Sequence, residues 1–134
     1  MPKRPPASTL AQLLANPGRT PPPGPAAKAV LHGHCHQKLL GGTQADVALL
    51  KAAGLDAQAP DTGCCGLAGA YGFKPEHFAT SQRIGELALL PAVRAAAADT
   101  LIVADGFSCR EQIEQGTGRG MLHLAEALAR TVRN

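Results

Sequence analysis

Four cysteines, Cys35, Cys64, Cys65 and Cys109, are the residues of this chain best suited to chemistry. Two of them are adjacent, in Asp61-Thr-Gly-Cys-Cys-Gly-Leu-Ala-Gly69, with a glycine on each side of the pair. Glycine permits positive φ and a close backbone approach, so such a turn can aim two sulfurs at one centre. A vicinal pair framed by glycines fills a core badly, which weighs against these residues being mere buried hydrophobes. Four thiolates satisfy a [4Fe–4S] cube and would equally satisfy a tetrahedral zinc ion; the vicinal pair could also serve as a dithiol–disulfide site. The spacing matches neither the compact ferredoxin run nor paired C-x-x-C knuckles, so chemistry alone leaves cluster, zinc and thiol redox open.

A chain of 134 residues suits one domain with a core of its own. Hydrophobic residues make up 45% but aromatics only 3%, so the expected core is thin and aliphatic. The formal net charge of +3 is mild, and without a dense basic run or a stacking platform it gives no case for nucleic acid. Four cysteines are too few for a secreted disulfide scaffold. No signal-like segment and no apolar run of membrane-spanning length stands out. A cytoplasmic, reducing setting is the expectation, and there clustered cysteines point to metal or redox chemistry.

The elements that must position the cysteines follow from pattern. Residues 1–28 read as a Pro-rich disordered or linker segment, with one short helix from Ser8 to Leu14 capped by Ser8. Residues 29–134 read as the cysteine-rich domain. Strands are expected at 29–32, 55–59 and 100–104, the last apolar, β-branched and short enough to be fully buried. Thr43 opens a helix with Asp46 as a weak capping box, an apolar face of Leu40, Val47 and Leu50, and Gly54 as its stop. Pro75 and Glu76 begin another, with Ile84, Leu87 and Ala88 as its stripe, and Pro91 is expected at the first position of a further helical turn. Cys109 sits at the start of a helix ending near Gly116. A last helix runs from about Gly120 to Val132, with Leu122, Ala125, Leu128 and Ala129 inward. Alternating strands and helices predict an α/β fold, a small parallel sheet of three or four strands with helices packed on it. Right-handed crossovers then bring the strand-to-helix loops, and with them all four cysteines, to one edge of the sheet.

Among other residues, His34 and His36 flank Cys35 and are the candidates to orient sulfur or relay a proton, ahead of His32. Arg110, beside Cys109, is the cation best placed to raise a cluster potential; Lys38 and Arg119 are weaker candidates. His77 and His123 read as structural or exposed, and Asp61 and Asp105 as turn or cap residues. The run Gly116-Thr-Gly-Arg-Gly120 lacks the spacing and preceding strand of a phosphate loop and reads as an interhelix turn.

The string Gly63-Cys-Cys-Gly66, with His34-Cys-His36 upstream and Cys109 downstream, resembles the CCG cysteine-rich domain. That domain occurs in a subunit of heterodisulfide reductase, in the iron–sulfur subunits of glycolate oxidase and anaerobic glycerol-3-phosphate dehydrogenase, and in lactate-utilisation proteins. Further motifs in order, His32-Gly-His-Cys-His-Gln-Lys38, Gly85-Glu86, Pro91-Ala-Val-Arg94, Ala104-Asp-Gly-Phe-Ser-Cys-Arg110 and His123-Leu-Ala-Glu126, are similar to the C-terminal region of FAD-linked oxidases fused to an iron–sulfur region. The resemblance implies an iron–sulfur electron-transfer module of a flavin-dependent 2-hydroxy-acid dehydrogenase system. Cys35, Cys64, Cys65 and Cys109 would be the ligands of a [4Fe–4S] cluster, and FAD would sit on a partner domain or chain. Its partners would be an FAD-binding dehydrogenase and a further iron–sulfur protein, with a cytoplasmic location or a peripheral one at the inner membrane through a partner. Gly106 stands where the usual motif has the first cysteine of C-x-x-C, which argues against a five-cysteine non-cubane cluster. Only one copy of the domain is present, without the flavin domain, so no catalytic residue and no complete active site are expected here. The alternatives are a structural zinc-binding interaction domain and a truncated, cluster-free fragment.

Overall fold

The computed structural model describes residues 7–15 and 27–132. Its three strands, β1 (Lys28–His32), β2 (Asp56–Gln58) and β3 (Leu101–Ala104), pair in the order β2-β1-β3, all parallel; β1 and β3 carry the β-branched residues, whereas β2 is polar at both ends and buries only Ala57. Residues 20–25, the proline-rich run, lie outside the described residues. The period-two alternation of the strands divides the core. Leu31 and its register partner Val103 pack into one apolar cluster, while Ile102 packs into the other with its partner Val30 at the margin. The sequence pattern predicts an α/β fold with a small parallel sheet of three or four strands, and the sheet has three. A short extended stretch adds to it: Leu122 bridges to Val103, its N–H donating to the Ile102 carbonyl and its carbonyl accepting from the Ala104 N–H.

Helices α1 (Leu10–Leu14), α3 (Gln44–Ala52) and α7 (Leu124–Val132) cover one face of the sheet, with Ala11, Leu49, Leu50 and Leu128 buried there. Helices α5 (Leu89–Ala95) and α6 (Phe107–Thr117) cover the other, through Leu89, Val93 and Ile113. Helix α2 (Cys35–Leu40) is short and buries no residue, and α4 (Phe78–Gly85) follows two 3₁₀ turns, Tyr71–Phe73 and Pro75–His77.

Several local expectations are corrected. The cap of α1 is Thr9 rather than Ser8, in a reciprocal box with Gln12. Thr43 makes no side-chain cap, and Asp46 turns inward, where burial raises its pKa. Leu40 belongs to α2 and is exposed, so the buried face of α3 is Leu49 and Leu50. Leu87 is exposed because α4 has ended at Gly85, and Pro91 is the third residue of α5 rather than its first. The last helix starts at Leu124, not near Gly120, because Leu122 is held extended against β3. Its inward residues are therefore Leu124, Ala127, Leu128 and Thr131, at helical spacing, and Ala125 and Ala129 are exposed.

Arg119 turns away from the cysteine loops to the C-terminal end of α5. Its guanidinium donates to the carbonyls of Val93, Ala96, Ala97 and Thr100 at 2.6–3.0 Å. Val93 and Ala96 lie at the end of α5, where a helix leaves carbonyls unpaired, and Ala97 and Thr100 belong to the loop that leads into β3. Arg119→Ala is expected to lower unfolding stability by about 2–3 kcal/mol, the scale of hydrogen bonds to a charged group. Urea unfolding with an unchanged m-value checks it.

Candidate metal and thiol site

Parallel strands carry their C-terminal ends to one edge, and each cysteine loop leaves from there. Cys35 opens α2 three residues after β1, the Cys64–Cys65 turn follows β2, and Cys109 lies in the first turn of α6 after β3. All four line a single cavity of about 460 Å³, with His34, His36, Gly106 and Phe107 also in its wall. Access is graded: Cys35 is exposed, Cys64 half-buried, and Cys65 and Cys109 are buried.

The turn that carries the pair has a backbone built for sulfur. Gly63, Gly66, Ala68 and Gly69 all have positive φ, and Ala68, at 46°, is the only non-glycine among the described residues to do so. This winding aims backbone N–H groups at the thiols: Gly66 N–H donates to Cys64 Sγ at 3.3 Å and Leu67 N–H to Cys65 Sγ at 3.4 Å. Successive N–H groups of this kind form a concavity that favours negative charge. Asp61 Oδ1 accepts from the Gly63 N–H at 3.3 Å, the turn role expected of it, and Lys38 Nζ reaches the Gly63 carbonyl at 2.7 Å.

The Cys109 thiol hydrogen-bonds Cys65, which pulls Cys65 down to about 6 and pushes Cys109 well above its ordinary value. Cys64 is raised, chiefly by burial, and hydrogen-bonds Cys35. Among the described residues, no group of three or more His, Cys, Asp and Glu side chains stands gathered for a metal ion. Tetrahedral zinc needs every sulfur on one point at about 2.3 Å. A cube takes one thiolate per iron around a volume, the requirement that four cysteines round a single cavity meet more readily.

The histidines divide. His34 caps α2, its Nδ1 accepting from the Gln37 N–H at 3.2 Å, and its ring meets that of His36 edge-on with centroids 6.2 Å apart. His32 is carried by β1 into the interior, where Nδ1 meets Thr62 Oγ1 at 2.5 Å and burial lowers its pKa to about 4. The three do not share one side as an extended run would, because helix α2 begins at Cys35. Arg110 turns to Glu126, with N···O of 3.7 Å, and is not part of the cavity wall. His123 and Asp105 lie at the start of α7, where Asp105 Oδ1 accepts from the Leu124 N–H at 2.8 Å.

One residue that pattern reading passes over is Gln112. It is buried within α6; its amide donates to the Cys65 carbonyl at 2.9 Å and to the carbonyl and hydroxyl of Ser81 at 3.2 and 3.1 Å. Its own oxygen accepts from Gln82 at 3.0 Å. This amide fixes the cysteine turn to α4 and α6. Gln112→Leu keeps the bulk but strips the Cys65 carbonyl of its donor, and is expected to cost about 2–3 kcal/mol. Thermal unfolding of the metal-free chain measures it.

Compared with known proteins, the chain is 41% identical over 118 residues to a subunit of the anaerobic glycerol-3-phosphate dehydrogenase of Escherichia coli strain K12. The match takes in 84% of this chain and 29% of that protein. The chain is homologous to a segment of that subunit. It is also 30% identical over 103 residues to D-2-hydroxyglutarate dehydrogenase of the same strain, across 75% of this chain and 10% of that protein. The Pantoea ananatis dehydrogenase of the same name is 37% identical over 68 residues, 51% of this chain and 7% of its own. The chain therefore spans less than a third of the length of these relatives. No protein-family model matches it, and no solved structure does so significantly. Among the described residues, no helix is long and apolar enough to cross a membrane.

Proposed function

We propose that this chain is a CCG-type cysteine-rich module that transfers electrons for a flavin-dependent 2-hydroxy-acid dehydrogenase or a related dehydrogenase. The observation that carries the reading is the cavity lined by all four cysteines from three separate loops. The donor set fits a [4Fe–4S] cluster: four soft thiols, no competing carboxylate in the wall, and backbone N–H groups already directed at two of the sulfurs. Cys35, Cys64, Cys65 and Cys109 would hold it, and such a cluster supplies one-electron transfer when bound. The chain's own residues do the rest. Leu67 and Gly66 N–H groups stabilise thiolate charge, Gln112 holds the turn, and the low exposure of Cys65 and Cys109 keeps water from the inner half of the site.

Homology to segments of two dehydrogenases supports the oxidoreductase setting. The flavin, the substrate and a further iron–sulfur protein would belong to partner domains or chains. The test is purification without exposure to air, followed by iron, sulfide and zinc analysis with visible and electron paramagnetic resonance spectra. Iron and sulfide near four per chain are expected for a single cube. A colourless protein with one zinc per chain would overturn the reading in favour of a structural zinc domain.

A further inference from the structure

The aromatic rings of this protein are not in its core. Tyr71, Phe73, Phe78 and Phe107 are all the Phe, Tyr and Trp it has, and they are 39–72% exposed. The two apolar clusters of the core contain no aromatic ring. A single exposed apolar side chain is ordinary, but these four gather about the cysteine cavity. Phe107 stands in the cavity wall with Ala68 and Gly69. The Ser108 hydroxyl donates to the Gly69 carbonyl at 3.3 Å, which sets Phe107 beside the turn that carries Tyr71 and Phe73. Gly72 between those two is buried, and a methyl there would strike Ser81 and Leu67. The turn therefore seats tightly on α4 and leaves its two flanking rings outside. Tyr71 stacks on His77 with centroids 3.9 Å apart, and Phe78 follows as the first residue of α4. Helix α2, which buries nothing, adds Leu39, 82% exposed; four residues after the cavity-lining Cys35, it shares that helix face.

We propose that this face, with Leu39, Tyr71, Phe73, Phe78 and Phe107 about the cavity mouth, joins two copies of the chain in a two-fold dimer. Charge selects the occupant. The segments that carry the face, residues 35–40, 61–78 and 106–110, hold Lys38 and Lys74 against Asp61 and Glu76, and Arg110 already faces Glu126. A balanced rim neither repels a second copy nor draws a strongly charged partner or an anionic membrane. In a two-fold contact each patch meets its own image, so Lys74 of one copy can face Glu76 of the other. Area agrees. At about 200 Å² per ring, the exposed parts of the four rings come to roughly 400 Å² per chain, a patch of the size that marks an interaction site. Two copies bury about twice that, and Leu39 and the rim bring the total to the roughly 1,200 Å² at which specific interfaces begin. The dimer turns the two cavity mouths toward each other and covers Cys35, the exposed cysteine of the four. The contact is between surface side chains and needs no metal, so it stands or falls apart from the cluster reading.

The experiment is sedimentation velocity of the full chain over a concentration series, purified without air and with reductant, so that no disulfide joins two chains. A dimer is expected. Phe73→Ser and Phe107→Ser, each removing an anchor from both copies, are expected to raise its dissociation constant about tenfold or more. These side chains are exposed, so circular dichroism is expected to stay that of the wild type. Val132→Ser, an exposed apolar residue at the far end of α7, is expected to leave the dimer unchanged. Lys74→Glu alone is expected to weaken the dimer, and Lys74→Glu with Glu76→Lys to restore it; a double variant that stays weak would overturn the two-fold pairing. A wild type that remains a monomer at every concentration would overturn the proposal. So would a dimer indifferent to both phenylalanine variants. A monomer that co-sediments with phosphatidylglycerol vesicles would instead give the face to lipid. Iron is assayed on the same samples, so the outcome for the dimer and that for the cluster are read separately.

Discussion

Cys65→Ser, purified without exposure to air, is expected to carry essentially no iron while keeping its secondary structure. The serine hydroxyl is a hard donor that ionises far above the thiol range, so it is a poor substitute for thiolate on a soft centre. Position matters as much as chemistry. Cys65 is 4% exposed, draws a hydrogen bond from Cys109 and accepts the Leu67 N–H, so neither solvent nor a neighbouring side chain can replace it readily. Cys35 is the contrast. It sits at the exposed N-terminus of α2, where water or an added thiol can enter, so Cys35→Ser is expected to retain part of the iron and lose it faster to chelator. Iron and sulfide per chain, visible absorbance and circular dichroism separate the two variants. Full iron content in Cys65→Ser would remove this residue from the ligand set and with it the proposed centre.

How much of this could be read beforehand depends on what kind of residue carried the information. The strands were legible because 100–104 is a short apolar run with turn residues after it, and β3 forms there at Leu101–Ala104. Parallel pairing then dictated that the loops after β1, β2 and β3 share an edge, and so the cysteines line one cavity. The helix limits were less legible. Residues 120–123 look helical by composition, but the exposed edge of β3 offers Leu122 a hydrogen-bonding partner, and pairing there overrides local propensity. Polar residues with tertiary roles were illegible in principle. Gln112 and Arg119 look like surface side chains until the fold brings a bare carbonyl within reach of each. Ala68, with φ of 46°, is hidden for the converse reason: alanine does not advertise a left-handed conformation as glycine does.

Gly66→Ala is expected to prevent stable folding, whereas Gly69→Ala, three residues on, is expected to be tolerated. Both glycines have positive φ, 96° and 66°, and a left-handed conformation costs an L-residue about 1–2 kcal/mol at either site. The difference lies in what a methyl group would meet. At Gly69 nothing stands within 4 Å of the added carbon, so the conformational cost is the whole cost. At Gly66 the methyl would be driven into the Ser81 carbonyl of α4, a backbone atom that cannot rotate aside, and would crowd the Gln112 amide at 3.2 Å. That amide bonds both Ser81 and the Cys65 carbonyl, so relieving the clash parts the cysteine turn from the helices that hold it. Overpacking of a rigid site adds about 1–3 kcal/mol, and the lost buried hydrogen bonds add a similar amount. Against a total stability of about 5–15 kcal/mol, the sum is enough to unfold a small domain. Soluble yield, circular dichroism and thermal midpoint of the two variants side by side test it. A Gly66→Ala chain that melts with the wild type would mean that the cysteine turn is not seated against Ser81.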